Sequence, residues 1–593
     1  MERNKLISKS AYLIYKQCPK YLWYYINDRE SIPEPDLTAR FNFKAGHFTG
    51  SLAKKCFPEG IEIRREKDPE NNHRKTLELM DLRKPLFGAG LLCKNACFFN
   101  MEPYGIYSRA DILVPAENGL AGFGENSDEP GFLTNSICLT DTACSPDKPP
   151  GGIILKETVN PGQNCWDIIE VKISTGIKKV NLYDVAFQKY CCLLAGIDIR
   201  NCYVMHINKG YTLKGEIDPF AMFKITEVTE KIEKINLQIE NDLKNMAEII
   251  SSDFPPLVTP GKFCGKHFTC PLKKNCWESI SSKSILFLYS INHKMIKKLN
   301  ESDIEAISDI PLNFSGINEK QKVQIEQTKN SAEYINKAAI ANFLKQVSYP
   351  VFFLDFETFA SPIPLIENTR PYQNIPFQFS LHVLRKPKMQ LEHYHFLSDG
   401  RGDPRPALLT NLRNLFGFGQ RDKSFNGTVI VYDESIERSI LRDLVVFDTE
   451  HVNWIFKVAS RIVDLYDPFK NFYYYSPSQR GSVSVKRVLP ALTKKSYDEM
   501  AISNGHIAAI SFLEGSQLWK ESTSGTRQAA YEAKNEADKD FDQNSQEQAY
   551  KNTGENEIID EETEAVRHNL LEYSKLDTEG LFHIMQELEK LII

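Results

Sequence analysis

The sequence predicts a multidomain α/β protein, and three observations predict it. At 593 residues the chain is too long for one hydrophobic core. Strand-like runs such as WDIIEV and VFFLDF alternate with helix-like stretches in both halves. Between the halves, residues 281–345 read as helical and connective, with a segment, MIKKLNESDIEAISDIP, of short helix–turn–helix character. This divides the chain into an N-terminal domain over 1–280, a helical linker over 281–345 and a C-terminal domain over 346–593. The linker is read as a plain connection, with a small helix-hairpin-helix nucleic-acid module as the alternative.

The elements follow in order. An amphipathic helix is expected over Ser10 to Tyr25, and a polar, Gly-rich loop insertion over 117–165. A strand over Trp166–Val171, a helix around Tyr183–Ala195, a strand over Asn201–Ile207 and a charged helix over 226–251 come next. The C-terminal domain opens on an apolar run ending in acids, the mark of a central buried strand. Strands at 377–384 and 427–433 and a helix from Ser435 to Val446 follow. Residues 521–566 are rich in Asn, Gln and Glu and nearly free of large apolar residues, which predicts a disordered or solvated insertion. A last helix is expected from about 564.

Composition places the chain among globular proteins, with 42% apolar and 25% charged residues. No stretch approaches the ~20 apolar residues of a membrane helix, and the first residues have no signal-type apolar core, so the expected compartment is the cytoplasm. There a disulfide framework is not expected of the 13 cysteines, and clustered ones read as metal ligands or core fillers. The net charge is −6, but residues 531–566 hold twelve Asp or Glu and three Lys, a local −9, which leaves +3 for the rest. A basic groove is therefore compatible with the charge without being implied by it.

Two constellations carry chemistry. In the first, YSRADILV places Asp111 at the start of a strand and WDIIEVKIS places Glu170 and Lys172 on another, two apart and so on one face. Two carboxylates suit Mg2+ or Mn2+, and Lys172 would orient or deprotonate a water and offset phosphate charge. Downstream, YDVAFQKYCCLLAGI supplies Gln188. With the opening LISKSAYLIYKQCPKYLWY, this pattern resembles the RecB-like branch of the PD-(D/E)XK nuclease superfamily over about residues 5–277. The resemblance implies a restriction-endonuclease-like α/β core, with Asp111 and Glu170 on the metal and Lys172 and Gln188 in catalysis. The chain departs from it at Gly50, where relatives place a His (His47 is out of phase), and at Cys192, where they place a Tyr, with Tyr190 two residues early.

KFCGKHFTCPLKKNCW spaces Cys264, Cys270 and Cys276 evenly, and Cys18 lies near the other end of the same domain. One Cys before the nuclease core and three after it resembles nucleases of the AddB and CRISPR-associated exonuclease type, which implies a 4Fe-4S cluster stapling the domain's ends. The spacing is wider than the C-x-x-C common there. Zn2+ on Cys264, His267, Cys270 and Cys276 is the alternative.

In the second constellation, FFLDFET places Asp355 and Glu357 two apart at a strand end, TVIVYDESIERSIL places Glu437 on a helix, and LLEYSKLDTEGL places Tyr573 and Asp577 four apart on one helix face. Four acids in one cleft repel unless cations sit between them, and two ions ~3.5–4 Å apart are the usual arrangement for phosphodiester hydrolysis. The order resembles the DEDD exonucleases of the DnaQ-like, RNase H-fold superfamily in their Tyr subtype. That resemblance implies metal ligation by the four acids and a water-positioning Tyr573. Glu437 replaces Asp, Asp433 replaces Asn and Ile436 replaces an aromatic. The segments YPVFFLDFETF, IPFQFSLHVL, RIVDLYDPF and YYYSPSQRGSVSVKRVLPAL resemble a largely uncharacterised family found after RecB-like nucleases. Asp464 is an auxiliary acid or structural; Ser482, Lys486 and Arg487 are phosphate contacts or a turn and a solvated face.

These readings predict a metal-dependent nuclease, an exonuclease in its C-terminal half, acting on DNA, with RNA as the second expectation, and no membrane partner. The alternative is a nucleic-acid-binding clamp with a structural metal cluster and an inactive C-terminal domain.

Overall fold

The computed structural model describes residues 6–96, 104–118, 165–417, 426–447, 449, 452–520, 522 and 554–593. The expected insertion at 117–165 lies outside them apart from its ends, as does most of 521–566. The described part of that acidic stretch, from Gly554 on, belongs to the C-terminal helix, which therefore begins about ten residues earlier than expected. The protein is a mixed α/β molecule of two units. One comprises Met1–Trp277 with Pro362–Pro371, and the other Glu278–Ser361 with Tyr372–Ile593. The stretch expected as a separate linker thus belongs to the second unit. No helix among the described residues is long and apolar enough to cross a membrane.

The first unit begins with β1 (Leu6–Ser8), α1 (Lys9–Gln17) and α2 (Pro19–Asn27). The single helix expected over Ser10–Tyr25 is two helices. Pro19 has no N–H to donate and pushes the residue before it out of the helical region, so Cys18 is extended, with φ −157°. Next come α3 (Leu37–Lys54), β2 (Ile61–Glu62), α4 (Pro69–Met80), β3 (Leu86–Ala96), β4 (Tyr104–Pro115), β5 (Trp166–Lys172), α5 (Lys179–Leu194) and β6 (Ile199–Ile207). The unit's regular elements end with α6 (Pro219–Met222), β7 (Phe223–Glu227), α7 (Thr229–Ser251) and α8, Lys273–Glu278, at the boundary.

The strands form one sheet in the order β2-β3-β4-β5-β6-β7, with β1 parallel to the first part of β4. The β3–β4 and β4–β5 pairs are antiparallel and β5–β6 is parallel, joined across α5. Both faces are covered: Tyr12, Phe187, Val185, Ile239 and Leu243 pack on one, Phe48, Leu52, Met205 and Met222 on the other. That double burial is why β5 reads as an apolar run broken by Asp167 and Glu170 before its terminal lysine.

The second unit opens with helices α9 (His293–Asn300), α10 (Glu319–Asn330) and α11 (Lys337–Leu344), with β8 (Tyr334–Ile335) before the last. Each helix starts at an Asn, Asn292, Asn318 or Asn336, whose Oδ1 accepts an amide of the first turn. β9 (Val351–Phe359), β10 (Ile375–Leu384), β11 (Glu392–Leu397), α12 (Arg405–Leu415), β12 (Thr428–Val431), α13 (Glu434–Leu444), α14 (Asn453–Ala459) and β13 (Ile462–Asp464) follow. The unit continues with α15 (Asp467–Lys470), β14 (Tyr474–Tyr475), α16 (Val485–Thr493), α17 (Gly505–Gly515) and α18 (Gly554–Ile592). Five strands order as β11-β10-β9-β12-β13, the first two pairings antiparallel and the last two parallel. Leu408, Leu412, Leu441 and Trp454 fill one face. Phe512 of α17 stacks on Phe377 and Phe359 on the other.

Candidate functional site

The central strand of the second unit carries the larger acid cluster. Asp355 and Glu357 lie inside β9 rather than at its end, two apart on one face. In register beside them on β10 are Ser380 and Gln378. α18 crosses this face. Gln378 Nε2 donates to Leu570 O at 2.9 Å and Ser574 Oγ at 2.5 Å, while Thr578 Oγ1 lies 2.7 Å from both Ser380 Oγ and His382 Nδ1. Seated in this way, α18 turns Asp577 inward. One oxygen each from Asp355, Glu357 and Asp577 lie within 4.8 Å of one another, the one such trio of metal-ligating atoms among the described residues.

The fourth expected acid, Glu437 on α13, is buried and within electrostatic range of Asp355 and Glu357, but outside that trio. Its Oε2 is buried with no hydrogen-bond partner. Tyr573, one turn before Asp577, faces the same carboxyl, and Tyr497, which the sequence did not flag, donates to Asp577 Oδ1 at 2.7 Å. Lys486 Nζ sits 5.2 Å from the Tyr573 ring and 5.4 Å from the Tyr497 ring and donates to Ser503 O. Gly505 leaves room for Glu357: a Cβ there would lie 3.1 Å from its Oε2.

Three of these four carboxylates, Asp355, Glu357 and Asp577, face the one ammonium of Lys486. Burial, then the neighbouring charges of Asp577 and Glu357, raises the Asp355 carboxyl well above its ordinary range. Burial and Asp577 push Glu357 to about 8, burial and Asp464 push Glu437 to about 8, and burial brings Asp577 to about 6. Such a set is intolerable as four bare anions and suits hard divalent cations, with the orphaned Glu437 oxygen as a waiting ligand. Asp464 lies outside the trio, although its charge reaches Glu437. Its oxygens accept the amides of Asp433, Glu434 and Tyr466 at 2.9–3.1 Å, which makes it the anchor of the α13 start. Arg487 is exposed and Ser482 bonds Ser484.

The first unit brings together Asp111, Glu170, Lys172 and Gln188. Asp111 lies well inside β4, where its Oδ2 accepts the Val171 amide at 3.0 Å. Gln188 Nε2 donates to Glu170 Oε2 at 2.7 Å, and Gln188 Oε1 is a buried acceptor without a partner. Two residues that sequence reasoning missed complete the group. Asp184, one turn before Gln188 on α5, accepts from Lys172 at 2.6 Å, and Lys9 on α1 reaches both Glu170 and Asp184. The i,i+4 spacing of Asp184 and Gln188 was a signal for the first; Lys9 had none. Burial, with Asp111 and Asp184 adding, raises Glu170 to about 7, whereas Lys172 and Lys9 outweigh burial at Asp184 and hold it below the usual carboxylate range. Two carboxylates and a free amide oxygen form an all-oxygen donor set that fits Mg2+ or Mn2+.

Cys18, Cys264, Cys270 and Cys276 line one small cavity with Lys20, Phe263 and Lys273. Cys18 gets there because the Pro19 break turns it out between α1 and α2. His267 instead packs edge-on against Tyr183 and is not among the cavity's lining residues. Tetrahedral zinc, with Zn–S near 2.3 Å, would draw its sulfurs within roughly 4 Å of one another. No three of these sulfurs lie within 4.8 Å of one another among the described residues.

Residues 352–484 match the model of a family described as a domain of unknown function, DUF2779. No curated protein matches the chain.

Proposed function

We propose that the protein is a metal-dependent nuclease with one centre in each unit, hydrolysing phosphodiester bonds of DNA or RNA. The observation that carries the reading is the convergence of Asp355, Glu357 and Asp577, brought from a strand and a distant helix into one buried cluster. The strand order β11-β10-β9-β12-β13 supports an RNase H-like core, and the sequence α1, β3, β4, β5, α5, β6 around one sheet supports a PD-(D/E)XK core. The thiol cavity supports a 4Fe-4S cluster on Cys18, Cys264, Cys270 and Cys276.

In the C-terminal centre Asp355, Glu357 and Asp577 would hold one Mg2+ or Mn2+, and Asp355 with Glu437 a second. Bound cations would lower the pKa of water and stabilise charge on the phosphoryl oxygens. Tyr573 keeps its phenol proton, since burial and Asp577 drive its pKa far upward, and orients the attacking water. Lys486 faces the same acids and is placed to meet a phosphate. In the N-terminal centre Asp111, Glu170 and Gln188 would hold the cation, and Lys172, fixed by Asp184, would orient the water.

The test is incubation of the purified chain with end-labelled single- and double-stranded DNA and RNA in Mn2+. Asp355→Asn should abolish stepwise shortening from the 3′ end, and Lys172→Ala should abolish the remaining cleavage. Intact substrates in every lane would overturn the reading. Glu437 standing outside the trio favours a second reading, a nucleic-acid clamp whose C-terminal unit lost its chemistry. Two Mn2+ bound per C-terminal unit would favour the nuclease, and none the clamp.

A further inference from the structure

The N-terminal centre differs from its C-terminal counterpart in one physical respect: its acids already have cations. Three carboxylates, Asp111, Glu170 and Asp184, stand with two ammonium groups, Lys9 and Lys172. Asp184 receives one on each oxygen, Lys9 at 3.1 Å and Lys172 at 2.6 Å. Both Glu170 oxygens are occupied as well. Oε1 takes Lys172 at 2.5 Å and Lys9 at 3.2 Å; Oε2 takes Gln188 at 2.7 Å and Lys9 at 3.4 Å. A divalent ion that uses Glu170 therefore has to displace something already there.

Lys9 is the group placed to yield. Its contacts are the longest of the set, and it has no anchor here as short as the 2.6 Å bond that keeps Lys172 on Asp184. Its backbone nevertheless cannot drift away. β1 is paired with β4 through Ser8, and Ser8 Oγ caps α1 by accepting the Ala11 amide at 3.2 Å. The ammonium is thus delivered to Glu170 by the fold itself.

We propose that Lys9 is a positioning residue of the N-terminal centre, a built-in counter-ion that holds the cation's place at Glu170 and opposes divalent metal there by like-charge repulsion. This rests on the reading of Asp111 and Glu170 as metal ligands. The centre then binds metal weakly in the resting protein, and occupancy rises when a substrate phosphate offers the ammonium another partner.

The test uses the full chain carrying Asp355→Asn and Asp577→Asn, so that the C-terminal trio does not contribute, with free Mn2+ read by electron paramagnetic resonance. Lys9→Met and Lys9→Gln should each tighten Mn2+ binding about tenfold, since removal of a unit charge a few ångströms from the ion is worth at least that. Lys9→Arg, which keeps the charge, should bind like the parent. Unchanged or weaker Mn2+ binding in both neutral variants, with circular dichroism and melting as in the parent, overturns the proposal. Should one neutral variant fail to fold, the other decides. A parent whose Mn2+ binding is nil even at millimolar concentration, or insensitive to Glu170→Gln, overturns the metal-ligand reading itself, and the role of Lys9 falls with it.

Discussion

Tyr573 and Gly505 show how much single positions decide at the C-terminal centre. Tyr573 is buried beside Asp577, and its ring lies beneath Lys486. Tyr573→Phe keeps the ring and deletes the hydroxyl. The expected outcome is a loss of roughly 10²-fold in turnover, the usual scale for a group that positions or relays a proton, with Mn2+ binding by calorimetry within about twofold of wild type. Gly505→Ala tests the opposite quantity. Its new methyl would press on Glu357 Oε2 at 3.1 Å, so Mn2+ affinity should fall while the apo protein folds normally. Equal affinity in that variant would mean that Glu357 has room to ligate in another way.

At the scale of elements, α18 is the part whose seating makes the site. It meets the sheet through polar side chains, Gln378, Ser380 and His382 below and Ser574 and Thr578 above. Thr578→Val removes the shared hydroxyl and leaves buried Ser380 and His382 groups without that partner. The expected cost is about 1–3 kcal/mol in denaturant unfolding, together with weaker Mn2+ binding because Asp577 is the adjacent residue. This also marks where the sequence was legible. Asp355 with Glu357, and Tyr573 with Asp577, declare themselves through the periods of a strand and a helix, so each pair could be placed on a face before any fold was known. Lys9 and Tyr497 could not. Lys9 meets Glu170 across 161 positions and Tyr497 meets Asp577 across 80, and only tertiary pairing decides such meetings. The α1–α2 break was readable in Pro19 but was outweighed by the amphipathic pattern running through it. The start of α18 was hidden because its first turns are polar and acidic, a composition shared by solvated helices and unstructured chain.

The same limit separates the cysteine cavity's membership from its content. Four thiols gathered from both ends of the first unit should make anaerobically purified protein brown, with about four irons per chain. Cys18→Ser should bleach it and destabilise the unit, because the first helices would then hold the Cys264–Cys276 segment through the Gln17–Phe268 hydrogen bonds without the cluster. Colourless protein with one zinc would reject the cluster, and a cluster unaffected by Cys18→Ser would remove Cys18 from the ligand set.

At the scale of the whole molecule, the acids of the second unit tie stability to pH and metal together. Glu357 and Glu437, raised to about 8, and Asp577, raised to about 6, bind protons more tightly in the folded chain than their ordinary values of 4.5 and 3.8 allow in the unfolded one. Between those limits the folded state holds more protons, so stability falls as pH rises. His382 and His393 act in the reverse sense. Burial first, then the neighbouring histidines, lowers them to about 3 and about 4 from 6.5, so they withdraw stability as pH falls below about 6.5. The two slopes oppose each other from about pH 4 to 6.5, and above 6.5 the acids act without the histidines, joined up to about pH 7 by Glu170 of the first unit. Metal-free protein should therefore melt at progressively lower temperature from pH 6.5 to about 8. Mg2+ or Mn2+ should raise the melting temperature most at the alkaline end of that window, since cations replace the protons the acids lose. Asp355→Asn with Asp577→Asn should lessen the metal-free slope, with burial still holding Glu357 and Glu437 high, and abolish the metal effect in the second unit. If the wild-type protein melts at the same temperature at pH 6.5 and 8 without metal, the acids are not gathered in one buried cluster, and the C-terminal centre loses its physical basis.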